Sequence, residues 1–320
     1  MKDLGNARAR VALIDEAHAT QRVDNFLLQL LKGVPRSHVY RLLRGGEVRV
    51  NSRRVEATYR LQSGDRVRIP PVRTRARPAQ DAPARPDPGF RAVYEDDAIL
   101  ILDKPAGVAV HGGSGVSFGV IERLRGARPA ARFLELAHRL DRDTSGLLAL
   151  AKKRSALVAL HAALREGRVT KVYLALVGGA WTLGRRDVVL PLRKRLTAAG
   201  ERRVSVEQGG QASRTRFELV GRYGGFSLVR ATLDTGRTHQ IRVQLAHLGF
   251  PIAGDDKYGD FELNRTLSKQ GLKRMFLHAC ALALDHPLTG QRLALEVPLP
   301  EELARFLDRL GASAPHAAAL

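Results

Sequence analysis

A single cysteine, Cys280, among 320 residues excludes an internal disulfide and a multi-thiolate metal centre within one chain. It sits in the apolar stretch Met275–Leu284 and is expected to act as a small buried hydrophobe. The ten histidines form no H-E-x-x-H spacing, and one cysteine cannot form C-x-x-C, so no metal site is expected. No run approaches the ~18 apolar residues that a membrane helix needs. The first 25 residues also lack a sustained apolar core. A soluble, cytoplasmic protein without membrane contact is the resulting expectation. Acid is scarce as well: 32 Asp and Glu face 53 Lys and Arg, a net charge of +21. Such an excess raises encounter rates with polyanions and points to nucleic acid or an anionic surface. An arginine-rich proteome alone would give the same total, so the placing of the arginines decides.

A hydrophobic content of 44 % suits one large domain plus a smaller one. Residues 18–70 read as a small helix-then-strand module. Val23, Phe26, Leu27, Leu30 and Leu31 form one apolar stripe of a helix that Gly33 and Pro35 end. A second helix is predicted from about Ser37, with Val39, Leu42 and Leu43 inward and Arg36, Arg41 and Arg44 outward. Strands Val48–Val50 and Arg66–Ile69 follow, bounded by the turns Asn51-Ser52 and Ser63-Gly64-Asp65. Arg49, Arg53 and Arg54 extend the basic face of the second helix into a stripe. The order of elements and the R-x-D-x-F-L opening (Arg22, Asp24, Phe26, Leu27) resemble the S4 RNA-binding module. An ordinary helical cap with solvated arginines is the plainer alternative.

Residues 71–89 carry five prolines and several arginines but almost no large apolar side chain. They read as an extended linker, a tether or a strip lying along a phosphate backbone. From residue 90 to about 310 strands alternate with a few helices, among them Ile99–Leu102, Leu147–Ala151, Val172–Val177 and Phe226–Leu233. Ser155 is expected to cap a helix over 156–166, and Thr238 one that carries Ile241, Leu245 and Leu248. The pattern implies an α+β domain with a mixed, mainly antiparallel sheet. Residues 311–320 read as a frayed tail.

Four segments carry the chemistry. They are His138-Arg139-Leu140-Asp141-Arg142-Asp143-Thr144-Ser145-Gly146, the strand Lys171–Val177 with Tyr173, the loop and helix Thr235–Val243, and Asp103-Lys104-Pro105-Ala106-Gly107. Further stretches are Val110–Gly115, Asp255-Asp256-Lys257-Tyr258-Gly259 and Leu277-His278-Ala279. A carboxylate at a strand edge among arginines is held ionised and can serve as nucleophile or general base. In order and content these segments, with the S4-like module before them, resemble the RluA-type pseudouridine synthases over nearly the whole chain. That resemblance implies a catalytic α+β domain beside a small N-terminal S4-like α/β RNA-binding domain, no cofactor, and isomerisation of uridine to pseudouridine in large-subunit ribosomal RNA. Naked RNA or a preribosomal particle would be the partner, and a monomer is expected.

Carried over by position, the resemblance makes Asp141 the catalytic aspartate, Tyr173 the tyrosine that packs against the base, and Arg242 the arginine that pairs with the aspartate. Arg237 flanks the same turn. Arg139 would fill the gap left by the extruded base. The expected RNA contacts are Arg139, Arg237 and His138 around the catalytic segment, and Arg36, Arg41, Arg44, Arg53 and Arg54 on the small module.

The chemistry suits these residue types. The N-glycosidic bond must break, the uracil turn, and C5 join C1′ without loss of the base, which first has to be flipped into a pocket. Asp141 can attack C1′, abstract a sugar proton to give a glycal-like intermediate, or add to the ring. A bidentate arginine would hold it by charge and fork geometry. Tyr173 offers a flat surface to a rotating base, and its hydroxyl could join the later deprotonation at C5. The pair Asp141 and Asp143 also suggests glycosidase chemistry, but Thr-Ser-Gly argues for a turn and the charge for a polyanion, leaving Asp143 a local ion pair. A binding-only protein is the other rival. Gly112–Gly115 reads as a loop, Asp255-Asp256 as a turn, and Trp181 as core.

Overall fold

The computed structural model describes residues 9–15, 18–31, 34–72, 89–112, 118–196 and 202–311. Four of the five linker prolines (Pro78, Pro83, Pro86 and Pro88), most of the Gly112–Gly115 run, Gly33 and the tail after 311 lie outside them. The chain forms two compact units, one N-terminal and one made of the remainder.

The first unit runs β1 (Arg10–Leu13), α1 (Val23–Leu30), α2 (Arg36–Arg44), β2 (Arg49–Val50) and β3 (Arg66–Ile69). Its three strands pair antiparallel in the order β1-β3-β2. Strand β1 precedes the 18–70 span. It is an edge strand whose Val11 and Leu13 stay exposed, so it lacks the alternation that marks a strand in sequence. Val23, Phe26, Leu27 and Leu31 are buried as the stripe requires, whereas Leu30, the last residue of the helix, is exposed. In α2 Val39, Leu42 and Leu43 face the core and Arg36, Arg41 and Arg44 face out. The Arg22-x-Asp24 pair is a clamp: Asp24 is buried, takes an Arg22 bond at 2.6 Å, and accepts the Tyr40 hydroxyl at 2.9 Å. It thereby ties α1 to α2.

The second unit continues with β4 (Arg91–Glu95), β5 (Ile99–Lys104), α3 (Val120–Ala127), β6 (Glu135–Leu136), β7 (Ser145–Ala151), α4 (Arg154–Arg165) and β8 (Thr170–Gly178). Next come β9 (Arg186–Leu196), β10 (Arg202–Val206), β11 (Gln211–Tyr223), β12 (Phe226–Leu233), α5 (Gln240–His247) and α6 (Phe261–Lys269). The last elements are β13 (Leu277–Asp285), β14 (Arg292–Glu296) and α7 (Glu301–Leu310). One sheet of 11 strands runs β10-β9-β11-β12-β8-β13-β7-β5-β4, with β14 on β13 and β6 on β7. Every pairing is antiparallel but one, β13 with β7, so the sheet is mixed and mainly antiparallel.

All seven residues of β7 are buried. Leu148 and Leu150 pack on one face with Leu100 and Leu102; Leu147, Ala149 and Ala151 pack on the other with Ala156, Leu157 and Leu160 of α4. A strand covered on both faces reads as a continuous apolar run. The expected Thr-Ser-Gly turn is shorter than predicted, because Ser145 and Gly146 already belong to the strand and pair with His278 and Ala279. Gly146 has φ 107, and a Cβ there would stand 2.2 Å from the Ala279 carbonyl oxygen. Only glycine allows the parallel strands to approach at this point.

Ser155 does not cap α4; the helix starts one residue earlier, at Arg154. Trp181 is core, packed on Phe250 at 4.9 Å between ring centroids. Cys280 is half-buried, and burial pushes its thiol up to about 11. Among the described residues no helix is long and apolar enough to cross a membrane.

Candidate active site

Asp141 lies in the short loop between β6 and β7. Leu140 is buried in the core on one side of it and Thr144 on the other, with the Thr144 amide donating to the Asp141 carbonyl at 3.2 Å. Anchors on both sides leave the carboxylate on the wall of a cavity of about 390 Å³. Tyr173, from β8, lines the same cavity, as do Arg139, Arg237, His239 and Arg242.

The Asp103-Lys104-Pro105 segment supports the loop from below. Lys104 is fully buried and donates to the carbonyls of Pro105, Val108 and Arg142 at 2.8, 2.9 and 3.0 Å. Burial pushes its amine down to about 7, while Asp143 and Asp141 draw it back up. Since Arg142 follows Asp141, one lysine fixes the backbone next to the carboxylate.

Gln240 shapes the 235–239 loop. It is buried and accepts the Thr235 hydroxyl at 2.8 Å and the Arg237 amide at 2.9 Å. Its own amide group donates to the Arg214 carbonyl and the Thr215 hydroxyl. Thr238 does not cap α5. The capping position belongs to His239, which has a left-handed backbone and makes no side-chain cap. The turn is instead held from inside by Gln240, so no hydroxyl cap is needed.

Arg242 is only 5 % exposed and reaches Asp141 Oδ2 from Nη1 at 3.2 Å. Its fork, however, is spent on Asp255, with Nε to Oδ2 and Nη2 to Oδ1 both at 2.7 Å. The bidentate contact expected for Asp141 is thus made to a second acid. Asp255 is fully buried and also accepts the amides of Lys257 and Tyr258 at 2.8 and 3.0 Å. Burial opposes both charges, yet the pairing outweighs it: the Asp255 carboxyl is held down and the Arg242 guanidinium up. Asp255-Asp256 is a turn, as read, and a clamp as well. The Tyr258 ring lies 5.2 Å from the guanidinium carbon, a cation–π contact.

Tyr173 is buried apart from the face that meets the cavity. Burial, and then the Asp141 charge, raise its hydroxyl so that it stays protonated. Lys171 precedes it by two positions on β8, lines the same cavity, and was not singled out in sequence; burial lowers its amine. His138 also lines the cavity, but its Nε2 accepts the Ala149 amide at 3.0 Å and burial lowers it to about 4. It is a neutral strut of the sheet there. Asp143 pairs locally with Arg142 at 3.2 Å.

A second cavity, of about 230 Å³, shares Arg237 and Thr238 with the first and is also lined by Arg193, Lys194 and Gln211. In the N-terminal unit Arg36, Arg41, Arg44, Arg53 and Arg54 are all exposed, and Arg54 donates to the Arg44 carbonyl.

A cavity roomy enough for a nucleobase, with the Asp141 carboxylate, a flat phenol and a basic rim on its wall, marks an enzyme that handles a base within a polyanion. Residues 98–247 match the RNA pseudouridylate synthase family and residues 21–67 the S4 domain. The ribosomal large subunit pseudouridine synthase C of Escherichia coli (strain K12) is 53 % identical over 311 residues, 94 % of this chain and 96 % of that one. That of Pasteurella multocida is 50 % identical, with 95 % of each chain covered. The solved structure of human RNA Pseudouridylate Synthase Domain Containing 4 superposes with a TM-score of 0.58 at 26 % identity, covering 70 % of this chain and 94 % of that one. The chain belongs to the RNA pseudouridylate synthase family, isomerases that convert uridine to pseudouridine.

Proposed function

We propose that this enzyme isomerises uridines of large-subunit ribosomal RNA, with Asp141 as the reacting carboxylate. The relatives' names carry the substrate, and one geometric observation supports the role of Asp141. Its carboxylate faces the cavity beside Tyr173 and is bound by a guanidinium that a buried acid holds in place.

The reaction is internally balanced. The N1–C1′ bond breaks, a C5–C1′ bond forms, C5 gives up its proton, and N1 gains one. Asp141 acts as nucleophile or base on the flipped nucleotide. Arg242 holds one carboxylate oxygen and compensates its charge. Tyr173 packs on the turning base; stacking of this kind is worth roughly 1–3 kcal/mol. Its hydroxyl borders the cavity and, being protonated, can only relay the C5 proton, giving up its own as it accepts that one. Arg139 fills the gap left in the RNA, and Arg237 serves the backbone where the two cavities join. His138 contributes shape rather than charge.

Residues 18–70 act as an RNA-binding domain through Arg36, Arg41, Arg44, Arg53 and Arg54, residues 71–89 as its tether, and 90–310 as the catalytic domain. Phosphate contacts are sequence-blind, so the small domain raises affinity more than selectivity. The enzyme works as a cytoplasmic monomer on RNA or an assembling particle.

Release of tritium from large-subunit RNA labelled at uridine C5 tests the reading. Asp141→Asn should bind the RNA with unchanged affinity and release no label. A wild-type rate from that variant would refute the role of Asp141. No pseudouridine from the intact enzyme on this RNA would refute the substrate.

A further inference from the structure

His239 reaches the reacting carboxylate without a role in the reading above. It heads α5 with φ 53 and ψ 23, a left-handed backbone that costs a β-carbon residue of order 1 kcal/mol or more. The side chain gives the helix nothing, since it caps no amide. The conformation places the imidazole between Tyr258 and Asp141. Nδ1 is 2.8 Å from the Tyr258 hydroxyl, and the two rings meet edge to face with centroids 5.5 Å apart. Nε2 is 3.8 Å from Asp141 Oδ1, the oxygen that Arg242 leaves free while it binds Oδ2.

The Tyr258 hydroxyl fixes the tautomer. The Val204 amide donates to it at 2.9 Å, so its own hydrogen needs an acceptor, and among the described residues Nδ1 of His239 is the one in reach. The ring proton then resides on Nε2, facing Oδ1. Burial lowers the imidazole's pKa against the pull of Asp141, and Arg242 and Lys257 lower it further, which keeps the ring neutral.

We propose that His239 is a positioning residue for the isomerisation: its Nε2–H, set by Tyr258, aims Oδ1 of Asp141 at the flipped nucleotide while Arg242 restrains Oδ2. A neutral donor orients that oxygen without the full positive charge that would quench its reactivity. The 3.8 Å gap is wider than a hydrogen bond. It closes when the nucleotide replaces water, as such contacts do on forming the reactive complex. The inference rests on Asp141 being the reacting carboxylate.

Two substitutions isolate the Nε2–H. Asparagine tolerates the left-handed backbone and presents its amide where Nδ1 lies, so His239→Asn keeps the Tyr258 contact and deletes the donor toward Asp141. Glutamine carries its amide nitrogen to the Nε2 position. Single-turnover rates at saturating RNA, RNA affinities and thermal midpoints would be compared for wild type, H239N, H239Q and D141N. H239N should slow the chemical step by about 10–100-fold with RNA affinity within about twofold, and H239Q should recover to within about fivefold of wild type. D141N should be inactive. A wild-type rate for H239N beside an inactive D141N overturns the inference and leaves the role of Asp141 standing. An active D141N overturns both. Equal losses of rate and thermal midpoint in H239N and H239Q would make the imidazole a packing group, which also overturns the inference.

Discussion

Arg242 grips Asp255 with two hydrogen bonds of 2.7 Å and Asp141 with one of 3.2 Å. The stronger contact goes to the acid that does not line the cavity. A buried carboxylate that engages Nε and Nη2 fixes the plane of the guanidinium, and the remaining Nη1 is then aimed at Asp141. Asp141 is held through a cation that is itself held. The arrangement leaves Oδ1 open to the cavity.

Asp255→Asn should therefore cost more than its distance from the chemistry suggests. It strips a compensating charge from an arginine that is 5 % exposed, and breaking a buried pair costs about 3–5 kcal/mol. Loss of the fixed plane should lower kcat by about 10²-fold. Urea unfolding and single-turnover kinetics on one preparation check both effects. Native kcat in the variant would mean that Asp141 needs no oriented guanidinium.

Lys104 gives a second test of support from below. All three ammonium protons are used, on the carbonyls of Pro105, Val108 and Arg142. Lys104→Met fills the volume but removes the donor from three carbonyls, two of them on the exposed residues Pro105 and Arg142, so each loss sits near the low end of about 1–3 kcal/mol. The variant should lose at least about 3 kcal/mol of stability, and any folded fraction should turn over slowly because the Arg142 carbonyl no longer fixes the loop. Unfolding curves read the first effect, and tritium release per folded molecule the second.

These two supports also mark where sequence stopped being informative. Asp141, Tyr173 and Arg242 stand inside short contiguous motifs, and their chemistry follows from residue type. The partner of Asp255 is a guanidinium on another element, 13 residues upstream, so two aspartates in a row looked like a turn and nothing more. A lysine closing a strand is usually solvated, and the full burial of Lys104 arises only when the Arg142 carbonyl folds over it. In the loop before α5, Thr238 was the natural cap by propensity. The tertiary demands of Gln240 and Tyr258 placed His239 there in a conformation that propensity disfavours. The mainly antiparallel sheet was legible through the strands that carry their own apolar runs, such as Leu147–Ala151 and Val172–Val177, whereas β10 and β11, rich in arginine and polar residues, give no such signal. The sheet's single parallel pairing was not legible, since it depends on what Gly146 allows at Ala279.

Two histidines held neutral set an acid limit on stability. Burial brings His138 and His278 down to about 4. For His278 the neutral ring is required by its partners. Arg274 donates to Ser145 Oγ at 2.7 Å, so the serine's hydrogen goes to Nδ1 at 2.9 Å and Nε2–H faces the Val297 carbonyl. Unfolded histidines titrate near 6.5, so between pH 6.5 and 4 the unfolded chain takes up protons that the folded chain refuses. Stability should fall across that window as pH drops, by up to about 1.4 kcal/mol per pH unit for each ring. Urea-unfolding free energies at pH 7, 6 and 5 would read the slope. His278→Gln should flatten it, and an unchanged slope would mean that this ring is not held neutral.

The basic face of α2 makes a prediction that separates affinity from catalysis. Arg36, Arg41 and Arg44 are exposed on that helix, and each phosphate they neutralise releases counterions and steepens the salt dependence of binding. Replacing all three with glutamine in the full chain should reduce the slope of log affinity against log salt by about 2–3, at roughly 0.7–0.9 per lost contact. The rate at saturating RNA should stay at the wild-type value, because none of the three lines the catalytic cavity. Filter-binding titrations between 50 and 200 mM salt, run beside single-turnover assays, read the two quantities independently. An unchanged slope would make this helix an ordinary solvated surface and shift the RNA affinity to the arginines and the two lysines around the two cavities of the catalytic unit.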